Sequence, residues 1–118
     1  MWLLASRQRR ICKRFNAAPL PPNEAEKCGV SEGVLLGAPY VQGLRTRPED
    51  GTCGWYFTAG DDYSEDAEFF KPLHVAHLER YCPEVLPYLA LPPGWRIIVG
   101  TGLEQVRFDA TLLEENHA

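Results

Sequence analysis

Gly54-Trp55-Tyr56-Phe57-Thr58-Ala59-Gly60 decides how this chain is read. Three aromatic residues, a β-branched threonine and an alanine run between two glycines, the signature of a β-strand. On a strand, Trp55 and Phe57 face one way and Tyr56 the other, because side chains alternate. One of those faces belongs in a core. Immediately before the run, Pro48-Glu49-Asp50-Gly51 supplies turn chemistry: proline presets the bend and Asp-Gly tolerates left-handed backbone. Val34 to Arg47 is strand-like but broken by Gly37, Pro39 and Gly43, as in an edge or bulged strand. The two segments form an expected antiparallel hairpin.

A second hairpin is expected further along. Trp95-Arg96-Ile97-Ile98-Val99 lies between Gly94 and Gly100, Thr101-Gly102 makes a tight turn, and Glu104 to Phe108 returns. Residues 2–15 have helix-forming composition, and Asn23 to Lys27 reads as a short helix capped by Asn23. Pro72 to Tyr81 reads as a helix with proline in its first turn. Residues 84–90 make a second short apolar turn, and the tail 110–118 is expected to be ordered only in part. The expected class is α+β: a small single domain with an antiparallel sheet of two hairpins and short helices. Within it, residues 1–22 form a basic helix and proline-rich connector, and residues 23–118 form the α+β body.

The 118 residues suffice for one hydrophobic core, and 45% hydrophobic with 24% charged residues is ordinary for a globular protein. The net charge of −4 conceals an asymmetry. Arg7, Arg9, Arg10, Lys13 and Arg14 give residues 1–14 a charge of +5, which leaves −9 for the remainder. An acidic body repels phosphate backbones, so nucleic acid is not expected as the partner. The apolar run Met1 to Ala5 is too short for a signal-peptide core and precedes the positive charges, so a cytoplasmic location and no stable membrane insertion are expected. Cys12, Cys28, Cys53 and Cys82 include no Cys-x-x-Cys pair and read as free, mostly buried thiols.

Catalytic chemistry is sparse. His74 and His77 lie three apart with Cys82 beyond, but zinc needs three or four converging ligands. Cys53 lacks a local sequence pairing it with a histidine. Gly100-Thr101-Gly102 lacks the context of a phosphate-binding loop. Asp61-Asp62-Tyr63-Ser64-Glu65-Asp66-Ala67-Glu68 lacks the glycine and spacing of a calcium-binding loop. No cofactor, metal or catalytic residue is therefore assigned. That acidic segment follows the aromatic strand directly, and its five mutually repelling acids suit a surface that meets a basic partner. The candidate partner-binding residues are Trp55, Tyr56, Asp61, Asp62, Glu65, Asp66 and Glu68.

The run from Tyr40 and Arg45 through Gly54-Trp55-Tyr56-Phe57 to Gly60-Asp61-Asp62, the Pro- and Leu-containing segment Leu73 to Leu91, and Pro93-Gly94-Trp95 leading to Phe108 together resemble the bacterial immunity protein 33 family. The resemblance spans residues 34–110. It implies a non-enzymatic antidote in a polymorphic-toxin or type VI secretion system, one that binds a cognate toxin and blocks it. Two readings of other classes stay open: a small metal- or cysteine-dependent hydrolase using His74 and His77, and a generic regulatory or adaptor domain. The oligomeric state is not legible.

Overall fold

The computed structural model of the protein describes residues 2–60, 64, 66 and 68–114. Its centre is one six-stranded sheet. The chain begins with α1 (Trp2–Arg14), then β1 (Lys27–Val30), the single-turn α2 (Glu32–Leu35), β2 (Tyr40–Arg45), β3 (Thr52–Ala59) and β4 (Lys71–His74). Two consecutive 3-10 helices, Val75–Arg80 and Pro83–Tyr88, lead to β5 (Trp95–Gly100) and β6 (Leu103–Phe108), and a last 3-10 turn covers Ala110–Leu113. The spatial strand order is β4-β1-β3-β2-β5-β6.

Both expected hairpins form. β2 and β3 pair antiparallel with Gly43 opposite Phe57 and Arg45 opposite Trp55. β5 and β6 pair antiparallel with Ile97 opposite Val106. Antiparallel pairing of β2 with β5 then joins the hairpins into one surface. The turn at residues 48–51 closes through the Thr52 amide donating to the Glu49 carbonyl at 3.0 Å, with Gly51 at φ +74°.

The sheet is mostly antiparallel but not wholly so, since β1 lies parallel to β3. This strand replaces the helix expected from Asn23. The Asn23 side chain does cap a turn, accepting from the Ala25 amide at 2.8 Å, while Glu26 Oε1 accepts from the Asn23 amide. The turn stops there because the apolar residues Cys28 and Val30 gain more from burial between two strands than from one more helical turn. Val34 to Arg47 is also divided: Glu32–Leu35 is a helical turn, Gly37 breaks it at φ +87°, and the strand proper starts at Tyr40.

The expected helix over 72–81 is likewise corrected. Its first residues form edge strand β4, with Pro72 opposite Gly29, and only Val75–Arg80 is helical, as a 3-10 helix. Proline is tolerated there because an edge strand has one unpaired side.

One face of the sheet is the core. Val30, Val41, Trp55, Phe57, Ile97 and Val99 point into it and meet Leu78, Val85, Leu89 and Leu91 from the segment after β4. Trp55 and Phe57 stack with ring centroids 5.5 Å apart and planes 11° from parallel. Gly43 makes room: a Cβ there would sit 2.8 Å from the Phe57 ring. α1 closes this side. Cys12 is fully buried in the cluster, and the Gln8 amide donates to the Leu86 carbonyl at 3.0 Å. At the far end of α1, Arg14 and the Tyr88 hydroxyl both donate to Glu104 on β6.

Arg45 is the unexpected member of the core, 2% exposed. No carboxylate neutralises it by direct contact among the described residues. Instead its guanidinium donates to four carbonyls: Cys53 at 3.0 Å, Leu20 at 2.7 Å, Leu89 at 3.2 Å and Leu91 at 2.9 Å. Those carbonyls belong to the proline-rich connector, to β3 and to the segment leading into β5. One side chain therefore ties three otherwise separate stretches together. The Trp55 indole N–H donates to the same Leu89 carbonyl at 2.9 Å.

Candidate interaction surface

The alternation that buries Trp55 and Phe57 turns Tyr56 and Thr58 to the opposite face of the sheet. Register then aligns two rows across this face. Tyr56, Leu44, Arg96 and Arg107 stand side by side on β3, β2, β5 and β6; Thr58, Gln42, Ile98 and Gln105 form the next row. Both rows line a cavity of about 110 Å³, completed by Phe70. A wider trough adjoins it, sharing Leu44, Tyr56 and Phe70 and running out to Pro48, Glu49 and Leu112. Among the described residues, the 3-10 turn Ala110–Leu113 reaches this face through the buried Leu112, which lines the trough; the two rows themselves are half-buried or exposed.

Tyr56 is held rather than loose. Its ring packs edge-on against Phe70 at 5.1 Å, and Phe70 packs edge-on against Phe69 at 5.0 Å. Gly29 is what allows this. A Cβ at that position would lie 2.7 Å from the Tyr56 ring and 3.2 Å from Phe70. Burial raises the Tyr56 phenol above its ordinary value, with Glu49 and Cys53 adding to the effect, so it stays a neutral hydrogen-bond donor and acceptor at physiological pH.

The ladder Tyr56–Phe70–Phe69 leads to the acidic segment. Of its five acids, Asp66 and Glu68 are described, and both are exposed; Asp61, Asp62 and Glu65 lie outside the described residues. Asp66 Oδ1 accepts from the Glu68 amide at 2.9 Å, its carbonyl accepts from Phe69 at 3.0 Å, and Ser64 Oγ accepts from the Asp66 amide at 3.1 Å. These local bonds hold the Asp66 carboxylate at the margin of the sheet, where Asp66 and Glu68 share a shallow depression with Glu32, Lys71 and the exposed Leu36.

Trp55 is corrected as a candidate contact. It is fully buried, with its indole N–H already bonded, so no partner can reach it without unfolding the core. The residues beside Tyr56 that sequence reading missed are Leu44, Phe70, Arg96 and Arg107. Trp95 to Val99 is legible as a strand bounded by glycines, but which strands lie beside β3 is not.

The other chemistries considered find no assembled centre. His74 and His77 are exposed, with rings 5.7 Å apart. No group of three His, Cys, Asp or Glu able to hold a metal occurs among the described residues. All four cysteines are free and buried. Burial raises the Cys12, Cys28 and Cys53 thiols, and pushes Cys82 up to about 12, the opposite of an activated nucleophile. No helix is long and apolar enough to cross a membrane among the described residues.

The protein is thus a small α+β domain with one covered sheet face, an opposite face that bears Tyr56 and Phe70, and the exposed Asp66 and Glu68 at its edge. Residues 7–109 match the Imm33-like domain, and the chain belongs to that family of immunity-type proteins. The match reaches further back than the resemblance at 34–110, taking in most of α1 and all of β1. No curated protein and no solved structure matches the chain.

Proposed function

We propose that this protein is an immunity protein that binds one cognate bacterial toxin and neutralises it by covering the toxin's active site. The toxin would be a polymorphic-toxin or type VI secretion effector, met in the cytoplasm of the producing cell or its kin. The contact surface consists of Tyr56 as aromatic anchor and the acidic residues Asp61, Asp62, Glu65, Asp66 and Glu68. Trp55 is removed from that set.

The observation that carries this reading is the family match over residues 7–109, coupled to a sheet face at Tyr56 with the Asp66 carboxylate held at its margin. Tyrosine suits such a role because it offers a large apolar ring and a polar tip at small entropic cost. Acids beside it accelerate encounter with a basic groove and reject partners of the wrong charge.

Co-expression tests the proposal. The toxin domain encoded next to this gene is induced in cells that carry either the wild-type chain or a variant with Asp61, Asp62, Glu65 and Asp66 reversed to lysine. Wild type should protect and the folded variant should not. Equal protection by both would remove the acidic surface from the proposal, and failure of the wild type to protect would remove the immunity role.

A further inference from the structure

We infer that the cavity on the open sheet face receives a single carboxylate side chain of the partner protein. This rests on the toxin-binding reading above and gives that partner a chemistry. The cavity holds two arginines, Arg96 and Arg107, and no acid lines it, although the whole chain carries a net charge of −4. The arginines stand directly opposite each other on β5 and β6. Like charges in that position repel and cost stability. Asp109 relieves one of them, accepting from Arg96 Nε at 2.7 Å. Arg107 is exposed and forms no ion pair among the described residues. One positive charge is therefore left at the mouth of a half-buried cleft, where a carboxylate can meet it in bidentate geometry.

The part of the cleft that holds both arginines, about 110 Å³, suits one side chain, and it opens into the wider trough of about 570 Å³, which gives room to the residues flanking that side chain. Gln105, Thr58 and Tyr56, which all carry hydrogen-bonding groups, are among the residues that line the cleft. Leu44, Pro48, Phe70 and Leu112 line the adjoining trough together with Arg47, Glu49 and Glu114, and apolar residues flanking the carboxylate would lie against the first four. A phosphate-rich ligand fits less well, because the acidic body around the cleft repels a polyanion. The toxin would then meet both signs of charge: its basic groove on the acids at the margin, and one of its own acids on Arg107.

The test measures affinity for the toxin domain encoded by the adjacent gene, using wild type, Arg107→Lys, Arg107→Glu and Asp66→Lys/Glu68→Lys. Because Arg107 is unpaired, each variant there should melt within a few degrees of wild type. The expected result is a loss of more than tenfold for Arg107→Glu, a smaller loss for Arg107→Lys, and recovery when one acid on the toxin is changed to lysine. Unchanged affinity in folded Arg107→Glu, with wild type still binding, overturns this inference and leaves the immunity role standing. Absence of wild-type binding overturns both. Inorganic phosphate should compete with the toxin no better than acetate at matched ionic strength; competition by phosphate that acetate does not reproduce would make the cleft a phosphate site and overturn the carboxylate assignment.

Discussion

Replacing Arg45 with methionine isolates what a buried guanidinium contributes here. Methionine keeps most of the stem volume, so the change is chiefly the loss of donors and charge. Removing a buried ion often costs little, because relief from desolvation offsets the lost attraction. That offset is largest when both partners are replaced by apolar groups. Arg45's partners are main-chain carbonyls, which no side-chain substitution removes. The Leu89 carbonyl keeps the Trp55 indole, but the two shortest contacts, to Leu20 at 2.7 Å and Leu91 at 2.9 Å, lose their charged donor. At about 1.5–3 kcal/mol net for each hydrogen bond to a charged group, those two alone amount to roughly 3–6 kcal/mol. A domain of this kind has about 5–15 kcal/mol in total, so Arg45→Met should be near the edge of folding. Urea titration followed by Trp fluorescence gives the difference directly, and the melting point should fall by at least about 10 °C. Arg45→Lys should fall between, since one ammonium cannot span acceptors on three segments. A methionine variant as stable as wild type would show that the desolvation cost of Arg45 exceeds its bonds, and that packing alone ties these segments together.

Gly54→Ala should destabilise far more than Gly51→Ala in the same melts. Both glycines have positive φ, worth about 1–2 kcal/mol against alanine, but only at Gly54 would the new Cβ strike backbone, 2.1 Å from the Thr46 carbonyl oxygen; equal losses would refute the clash. Gly29→Ala should disturb the Tyr56 ring, which a Tyr ring-proton spectrum reads, with toxin affinity falling alongside it; an unshifted Tyr56 signal would show that the ring does not depend on this gap. The four thiols should react with Ellman's reagent only on unfolding. Their raised values mean that the folded state favours the protonated thiol, so this stability is present below about pH 8.5 and is lost as pH rises beyond it; rapid labelling of native protein would contradict the burial. Asp109 is held at about 2 by its bonds from Thr111 and then Arg96. Its contribution is therefore present above its unfolded value near 4 and lost as pH falls toward about 2, and Asp109→Asn should flatten that part of the stability–pH curve.

Much of the fold is legible in local patterns. Trp55-Tyr56-Phe57 shows its alternation openly, and Asp50-Gly51 and Thr101-Gly102 mark the turns on which both hairpins depend. What local pattern cannot give is partnership between distant segments. β1 is four residues long and parallel to β3, and nothing in Lys27-Cys28-Gly29-Val30 announces its neighbour. Leu73, His74 and Val75 fit a helix by composition, yet the edge of β1 claims the first two as a strand. Arg45 looks like a surface residue in a strand pattern; its acceptors lie up to 46 residues away. The site divides the same way. Tyr56 and the acids are visible in one continuous stretch, whereas Arg96, Arg107 and Leu44 join them only through the register of four strands.

Selective labelling of Tyr, Phe and Trp rings, followed through titration with the proposed cognate toxin domain, tests the central claim most directly. If the open face is the contact, the ring signals of Tyr56 and Phe70 should shift as the complex forms, while the Trp55 indole, bonded to Leu89 in the core, stays in place. A complex that forms with Tyr56 and Phe70 unmoved and changes confined to α1 would contradict it.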